Sequence, residues 1–360
     1  MAEGRGPGGV ATIRAVAERA EVSLGTVSNV LNRPEVVAEP TRQRVLAAIS
    51  ELGFVRNESA RQLRVGPSPS IGLLVPDVAN PFFTDLARGA EEVAEASGYV
   101  LGLFNSGEDV DREHRHLAHL TQQRVQGVLI TPLDADSDRI ADLGAYGIPA
   151  VLLYRGSGRR GQCSVTVDDV AGGRLAGEHL VERGHRRIAF VGPPTVRQVG
   201  DRLAGLRAGA VDASVQVVET DGLTVAAGRP AGERIARLPA RDRPTGVFCA
   251  NDLMALGVLQ GVIAHGLRLP EDVALVGYDD IGFAAAAVVP LSSVRQPAEQ
   301  LGATAMQLLL EEISDRPGHR HRQIVFEPEL VVRASSAGPA RAKGRVRRPA
   351  GAQNGESSLH

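Results

Sequence analysis

The sequence predicts an α/β protein in which a small helical N-terminal part precedes a longer, doubly wound α/β core with two lobes. Three short segments with helical spacing of apolar residues fill roughly the first 54 residues. From Ile71, short apolar runs alternate with amphipathic stretches for about 270 residues, which is too long for one sheet of this kind. A turn rich in proline and serine at residues 66–70 separates the two parts.

The first two helices are predicted from their apolar spacing and their capping residues. In residues 12–20, TIRAVAERA, the apolar residues recur on one helical stripe, and Thr12 is the expected N-cap. After a tight turn at Glu21, Ser23 can cap a second helix that runs to about Asn32.

The third helix completes a helix-turn-helix unit. It is predicted to begin near Pro40 and to stop at Gly53, a residue type that favours helix C-termini. Its predicted buried side consists of Val45, Leu46, Ile49 and Leu52. In such units the second helix lies in the major groove of DNA, with its N-terminal residues at base edges.

The second helix also has a composition that packing alone does not explain. The segment VSLGTVSNVLN, residues 22–32, interleaves serine, threonine and asparagine with its apolar residues. These polar residues are indifferent helix formers that can hydrogen-bond outward. We therefore expect this face to meet DNA.

Eight short apolar runs in the long second part predict buried parallel strands. They are IGLLV (71–75), YVLGLF (99–104), VLI (128–130), AVLL (150–153), IAFV (188–191), VQVVE (215–219), GVFC (246–249) and VALVG (273–277). Sheets of this type bind ligands at the carboxyl ends of their strands. Asn251 and Asp279 follow two of these strands and are candidate ligand-binding residues.

Composition excludes several other classes of protein. An apolar content of 43%, a charged content of 23% and a net charge of −2 are typical of a globular protein. No apolar run reaches the roughly 20 residues of a membrane span, and the N-terminus lacks the apolar core of a signal peptide. Cys163 and Cys249 each lie in an apolar run, which favours buried free thiols over a disulfide or metal ligands. We expect a cytoplasmic protein without a membrane partner.

The N-terminal segment TIRAVAERAEVSLGTVSNVLN resembles the signature of the LacI/GalR family of bacterial repressors, and the likeness continues into RNESARQLRVG, residues 56–66. The resemblance implies a hinge helix that inserts Leu63 into the minor groove and bends the duplex; the alternative is a linker helix in which Leu63 only packs. The predicted DNA contacts are Thr12, Ser23, Leu24, Gly25, Thr26, Ser28, Asn29, Asn32, Asn57, Ala60 and Leu63.

Two residues depart from the family pattern. Glu21 stands where a glycine is usual, so a left-handed backbone there would be mildly strained. Asn29 stands where an arginine is usual, and asparagine pairs with adenine whereas arginine prefers guanine.

The rest of the chain resembles the family's effector-binding core, which is similar to periplasmic sugar-binding proteins. Segments that carry the likeness include VPDVANPFF (75–83), FCANDLMALG (248–257) and RLPEDVALVGYDD (268–280). Tyr154 replaces a common family aspartate, which leaves the class of ligand open. Asp168 follows the run SVTV and is expected to organise the lobe, together with Asp169 in its turn, rather than to touch the ligand. The predicted effector-binding residues are Phe82, Phe83, Tyr154, Arg202, Asn251 and Asp279.

These features predict a ligand-responsive transcriptional regulator, most simply a repressor, that binds a palindromic operator in double-stranded DNA as a homodimer. Its effector would be a sugar or related metabolite; no metal, cofactor or catalytic residue is expected. The alternatives are a cytoplasmic solute-binding protein without a DNA role and an enzyme on an α/β scaffold. The predicted domains are residues 1–57 (helix-turn-helix, ordered from about 12), 58–70 (hinge helix and linker), 71–337 (two-lobed effector-binding and dimerisation domain) and 338–360 (disordered basic tail).

Overall fold

A computed structural model describes residues 11–54, 69–133, 138–154 and 161–338. The chain divides into two compact units, Met1–Ser68 and Pro69–His360. The predicted tail beyond Gly338 and most of the predicted hinge segment lie outside the described residues. None of the described helices is long and apolar enough to cross a membrane.

In the described part of the N-terminal unit, residues 11–54, the chain forms three α-helices and one 3₁₀ turn. They are α1 (Ile13–Arg19), α2 (Leu24–Asn32), the 3₁₀ turn (Pro34–Val36) and α3 (Glu39–Leu52). Both predicted N-caps are confirmed, because Thr12 and Ser23 accept hydrogen bonds from backbone amides in the first turns of α1 and α2. Gly53 ends α3 in the left-handed conformation, with φ of 59°. Glu21 also has a positive φ, 54°, as its place in the turn predicts.

One prediction for α3 is wrong. Leu46 is 44% exposed, and the side of α3 that faces the small core is formed by Val45 and Ala48, with Ile49 and Leu52 packed against it. Residues three, four and seven positions after Val45 share its face, whereas the next residue is turned by about 100°. The apolar character of Leu46 therefore does not place it in the core.

The first lobe of the core is a six-stranded sheet with helices packed on it. Its strands lie in the order β11-β5-β4-β3-β1-β2, and all pairs are parallel. The strands are β1 (Ser70–Val75), β2 (Val100–Asn105), β3 (Gly127–Ile130), β4 (Ala150–Leu153), β5 (Cys163–Val167) and β11 (Gln323–Phe326). The helices of this part are α4 (Pro81–Ala96), α5 (Val110–Gln122), α6 (Asp138–Ala145) and α12 (Ala298–Ser314).

The second lobe is another six-stranded sheet, in the order β12-β10-β9-β8-β6-β7. The pair β10–β12 is antiparallel and the other pairs are parallel. The strands are β6 (Arg187–Val191), β7 (Ser214–Val218), β8 (Gly246–Cys249), β9 (Ala274–Asp279), β10 (Ser292–Arg295) and β12 (Glu329–Val331). The helices are α7 (Asp169–Glu182), α8 (Arg197–Gly209), α9 (Val225–Arg237), α10 (Asp252–Ala264) and α11 (Gly282–Ala286).

The chain passes between the two sheets three times. It leaves the first lobe after β5, returns between β10 and α12, and leaves again between β11 and β12. The second sheet has one apolar core cluster and the first sheet has two, each built from buried residues of strands and of the helices packed on them. This connectivity places the carboxyl ends of the strands of both sheets on a common cleft, which is where a ligand site is expected.

Candidate functional site

The exposed face of α2 is the candidate DNA-binding surface. Ser23 Oγ accepts the backbone N–H of Thr26 at 3.0 Å, and the two hydroxyls lie 2.9 Å apart, which fixes the first turn. The side chain of Leu24 is 44% exposed, and Gly25 and Asn29 are exposed as well. The predicted base-reading positions are therefore all at the surface of the unit.

The other predicted DNA contacts are residues that cap a helix, residues on the surface of α2, and residues outside the described part of the chain. Thr12 Oγ1 accepts the N–H of Ala15 at 3.3 Å, so this hydroxyl has a structural role in α1. Asn32 Nδ2 donates to the carbonyl of Ser28 at 2.8 Å, which anchors both residues to the last turns of α2. Three further predicted contacts lie outside the described residues: Asn57, Ala60 and Leu63.

A cavity of about 400 Å³ lies in the cleft of the core unit. Its walls come from segments that follow β1, β3 and β4 in one sheet and β8 and β9 in the other, together with the start of α8. Its volume is within the range typical of small-molecule sites. All six predicted effector-binding residues line it: Phe82, Phe83, Tyr154, Arg202, Asn251 and Asp279.

Arg202 is held in one orientation by three partners. Its Nε donates to Asp169 Oδ1 at 2.8 Å, its Nη1 donates to the carbonyl of Ala250 at 2.6 Å, and its guanidinium carbon lies 3.7 Å from the centre of the Tyr278 ring. The residue is only 4% exposed. Nη2 has no hydrogen bond to any residue that the structure describes. A buried guanidinium with a spare donor is suited to bind an oxygen of a ligand.

Asp279 ends β9 with a φ of 100° and joins the two lobes. Its Oδ2 accepts the amide of Asn80 at 3.2 Å and its Oδ1 accepts the amide of Gln296 at 2.7 Å. Burial raises the pKa of this carboxyl to about 6, although Arg202 and the two amide donors act in the opposite direction. The charge of this hydrogen-bond acceptor therefore changes near pH 6.

Three aromatic rings form one side of the cavity. The ring of Phe82 makes edge-to-face contacts with Phe83 and Tyr154, at centroid distances of 5.2 Å in both cases. Phe82 is buried, whereas Phe83 and Tyr154 are half-buried, so the latter two offer the larger surface to a ligand. Burial raises the pKa of the Tyr154 phenol well above its usual value, which keeps the hydroxyl protonated and able to donate.

Asn251 lies in the wall but its amide is already engaged. It caps α10, because its Oδ1 accepts the N–H of Met254 at 2.9 Å, and its Nδ2 donates to the carbonyl of Leu223 at 2.9 Å. One amide hydrogen is left for a ligand. Asp168 caps α7 in the same manner by accepting the N–H of Ala171.

Several residues of the site were not identified from the sequence. Asp169, Asn80 and Gln296 orient the charged groups, and Thr131 offers a buried hydroxyl that has no hydrogen-bond partner among the described residues. The position of Thr131 directly after β3 is a usable sequence signal, since ligands bind at strand carboxyl ends. Gln296 follows β10, a strand that was not predicted from the sequence, so its position at a strand end could not be recognised.

Comparisons with known proteins agree with this architecture. Residues 12–57 match the description "Bacterial regulatory proteins, lacI family", and residues 178–336 match "Periplasmic binding protein-like domain". The chain is 34% identical to the HTH-type transcriptional repressor PurR of Aliivibrio fischeri over 333 residues, which is 91% of this chain and 98% of the relative.

Two solved structures are similar over most of the chain. One is the lac repressor dimer bound to operator and the anti-inducer ONPF, with a TM-score of 0.76, 29% identity and coverage of 91% of this chain and 99% of the other. The second is the transcriptional regulator CelR in complex with cellobiose, with a TM-score of 0.65, 34% identity and coverage of 90% and 99%.

Proposed function

The chain belongs to the lacI family of bacterial regulatory proteins and is a ligand-responsive, DNA-binding transcriptional repressor; on that premise we propose that its effector is a sugar or related polar metabolite that binds in the cavity of the core. The observation that carries the proposal is the convergence, in one cavity, of the Arg202 guanidinium, the Asp279 carboxylate and the Phe83 and Tyr154 rings. Aromatic rings suit the flat face of a sugar or base, and the charged groups suit its hydroxyls or carbonyls.

The DNA-binding part of the proposal assigns α2 to the major groove. Leu24, Gly25 and Asn29 are the side chains proposed to meet base edges, and Ser23 and Thr26 to position the helix against phosphates. Residues 58–70 are proposed to be the hinge between the two units. The protein binds operator DNA as a homodimer, so the two copies of α2 address two half-sites.

A repressor of this kind acts in the cytoplasm, where bacterial DNA lies, and needs no catalytic step. A solute-binding protein without a DNA role would not need the helix-turn-helix unit at residues 12–57. The relatives named above include cellobiose among their ligands, but Tyr154 stands where many members have an aspartate, so the effector is proposed by chemical class only.

The test is a thermal-shift screen of the full-length protein against sugars, sugar phosphates and nucleobases. A ligand at about 100 times its Kd stabilises the native state by about 2.7 kcal/mol, which raises the Tm measurably. We expect a hit whose stabilisation is lost in Arg202→Ala. Arg207→Ala is the matched control, because Arg207 lies on the same helix but is exposed.

The two variants separate the outcomes. Stabilisation that persists in Arg202→Ala would move the effector site away from this cavity. Equal stabilisation of Arg202→Ala and Arg207→Ala would also place the effector site outside this cavity. Stabilisation that is lost in Arg202→Ala and kept in Arg207→Ala supports the proposal.

A further inference from the structure

Four potential metal ligands converge in the first lobe, away from the cavity. One is the first residue of β5, one lies in the last turn of α12, and two lie in the connection between α12 and β11. They are Cys163, Glu312, His319 and His321, and their ligand atoms all lie within 4.8 Å of one another. No part of the proposed repressor mechanism uses these groups.

The distances between the four ligand atoms fit the edges of a tetrahedron. Metal–ligand lengths of about 2.0–2.3 Å with tetrahedral angles require separations of about 3.3–3.6 Å between ligand atoms. Cys163 Sγ lies 3.1 Å from His319 Nε2 and 3.8 Å from His321 Nδ1. Glu312 Oε2 lies 4.0 Å from His319 Nε2 and 3.8 Å from His321 Nδ1. These four separations lie within about half an ångström of the tetrahedral edges, and the other two are no longer than 4.8 Å.

Ordinary hydrogen bonding leaves the carboxylate of this cluster unsatisfied. Glu312 is 7% exposed, and its Oε2 has no hydrogen-bond partner among the described residues, since both imidazoles are beyond hydrogen-bond distance. An unsatisfied buried carboxylate is costly, which points to a missing positive partner.

The environment of the Cys163 sulfur also supports a metal site. This sulfur is fully buried and accepts the backbone N–H of Arg322 at 3.3 Å, the kind of outer hydrogen bond that supports a metal-bound thiolate.

We propose that this Cys-Glu-His-His cluster binds one Zn²⁺ ion in tetrahedral coordination. Thiolate and imidazole suit zinc, whereas Ca²⁺ and Mg²⁺ require sets of oxygen ligands. Four protein ligands leave no open position, which is the arrangement of a structural site. The ion fastens the end of α12 to the edge of the sheet formed by β5 and β11.

The position of the ion separates it from the effector site. Cys163 and His321 lie at the amino ends of β5 and β11, while the cavity lies at the carboxyl ends of the strands. The parallel sheet also places the start of β1 at the amino end, where the chain enters the core from residues 55–69. The zinc site therefore lies at the same end of the sheet as Ser70, the first residue of β1.

The test measures zinc in the full-length protein after loading with excess Zn²⁺ and extensive dialysis. We expect one zinc per chain in the wild type, and more than about tenfold weaker binding in Cys163→Ser and His319→Ala, because loss of even an outer-shell partner costs 10–100-fold. Replacement by Co²⁺ should give the visible absorption of tetrahedral cobalt with a thiolate charge-transfer band. That band should be absent in Cys163→Ser.

Cys249→Ser and His265→Ala are the matched controls, since neither residue belongs to the cluster. Both should keep the zinc and the cobalt spectrum. Wild-type protein without bound zinc, or zinc that Cys163→Ser and His319→Ala retain at wild-type affinity, would overturn the proposal. Operator binding by Cys163→Ser serves as the check that this variant is folded.

Discussion

The carboxyl of Asp279 is buried beside an arginine, and its raised pKa has a consequence for stability. In the folded protein the pKa is about 6, against 3.8 for an ordinary aspartate. The folded state therefore binds the proton more tightly than the unfolded state does. Between these two values stability falls as the pH rises, and above about pH 6 the loss is complete.

We expect this loss to disappear in Asp279→Asn, which is neutral at every pH. The difference in unfolding free energy, wild type minus variant, should fall by up to about 3 kcal/mol between pH 4 and pH 7, because one pKa unit corresponds to about 1.4 kcal/mol. Urea denaturation of both proteins across this range measures it. A difference that is constant with pH would show that the pKa of Asp279 is not raised in the folded protein.

For individual residues, the sequence predicted correctly which side chains line the cavity, but it did not predict the hydrogen bonds that each of them makes. Arg202, Asn251 and Asp279 were identified from strand ends and from the family likeness, and all three line the cavity. The engagement of the Nδ2 end of the Asn251 amide depends on the carbonyl of Leu223, which is distant in the sequence. Partners of this kind come from the packing of separate elements, so no local pattern reports them.

Among the elements, the contact between α7 and α8 determines where Arg202 lies. A Cβ on Gly173 would lie 2.0 Å from the carbonyl oxygen of Arg202, and a Cβ on Gly205 would lie 2.0 Å from that of Val170. The two helices therefore pack backbone against backbone, and only glycine fits at these contacts.

Gly173→Ala should force the helices apart. We expect destabilisation of about 1–3 kcal/mol, as for other overpacked sites, together with weaker effector binding because Arg202 moves with α8. Urea denaturation and effector titration measure the two effects.

Gly144→Ala is the control, and its expected effect on stability has the opposite sign. Gly144 lies in α6 with nothing within 4 Å of an added Cβ. Replacing a helical glycine by alanine stabilises by about 0.5–1 kcal/mol. Equal stability changes in the two variants would contradict the close-packing argument.

The strands that the sequence predicted include the buried central strands of both sheets and also the partly exposed edge strands β2 and β7. The run GVFC was predicted with its observed bounds, 246–249, because continuous apolar residues mark a strand buried on both faces. The edge strands β11 and β12 were not predicted, since each is short and at least partly exposed along its length. Edge strands are stabilised by pairing with a neighbour that the local sequence does not show.

In the whole molecule, the proposed effector and operator sites lie in different units, so regulation requires a coupling free energy between them. Thermodynamic linkage makes this coupling reciprocal: if the effector changes operator affinity by a certain factor, the operator changes effector affinity by the same factor. Typical couplings correspond to factors of about 5–150. We expect a factor in this range when the Kd of each ligand is measured with and without the other.

The route of the coupling can be tested through the linker, because residues 55–68 connect α3 to β1 along the chain. Insertion of flexible glycine and serine residues after Pro67 should bring the coupling factor close to one, since a slack connection transmits no change from the core. The effector Kd in the absence of DNA should not change. The same insertion between Arg241 and Asp242, in an exposed turn of the core, should leave the coupling intact. A wild-type coupling factor in the linker variant would mean that the two units communicate by direct contact rather than through the connection.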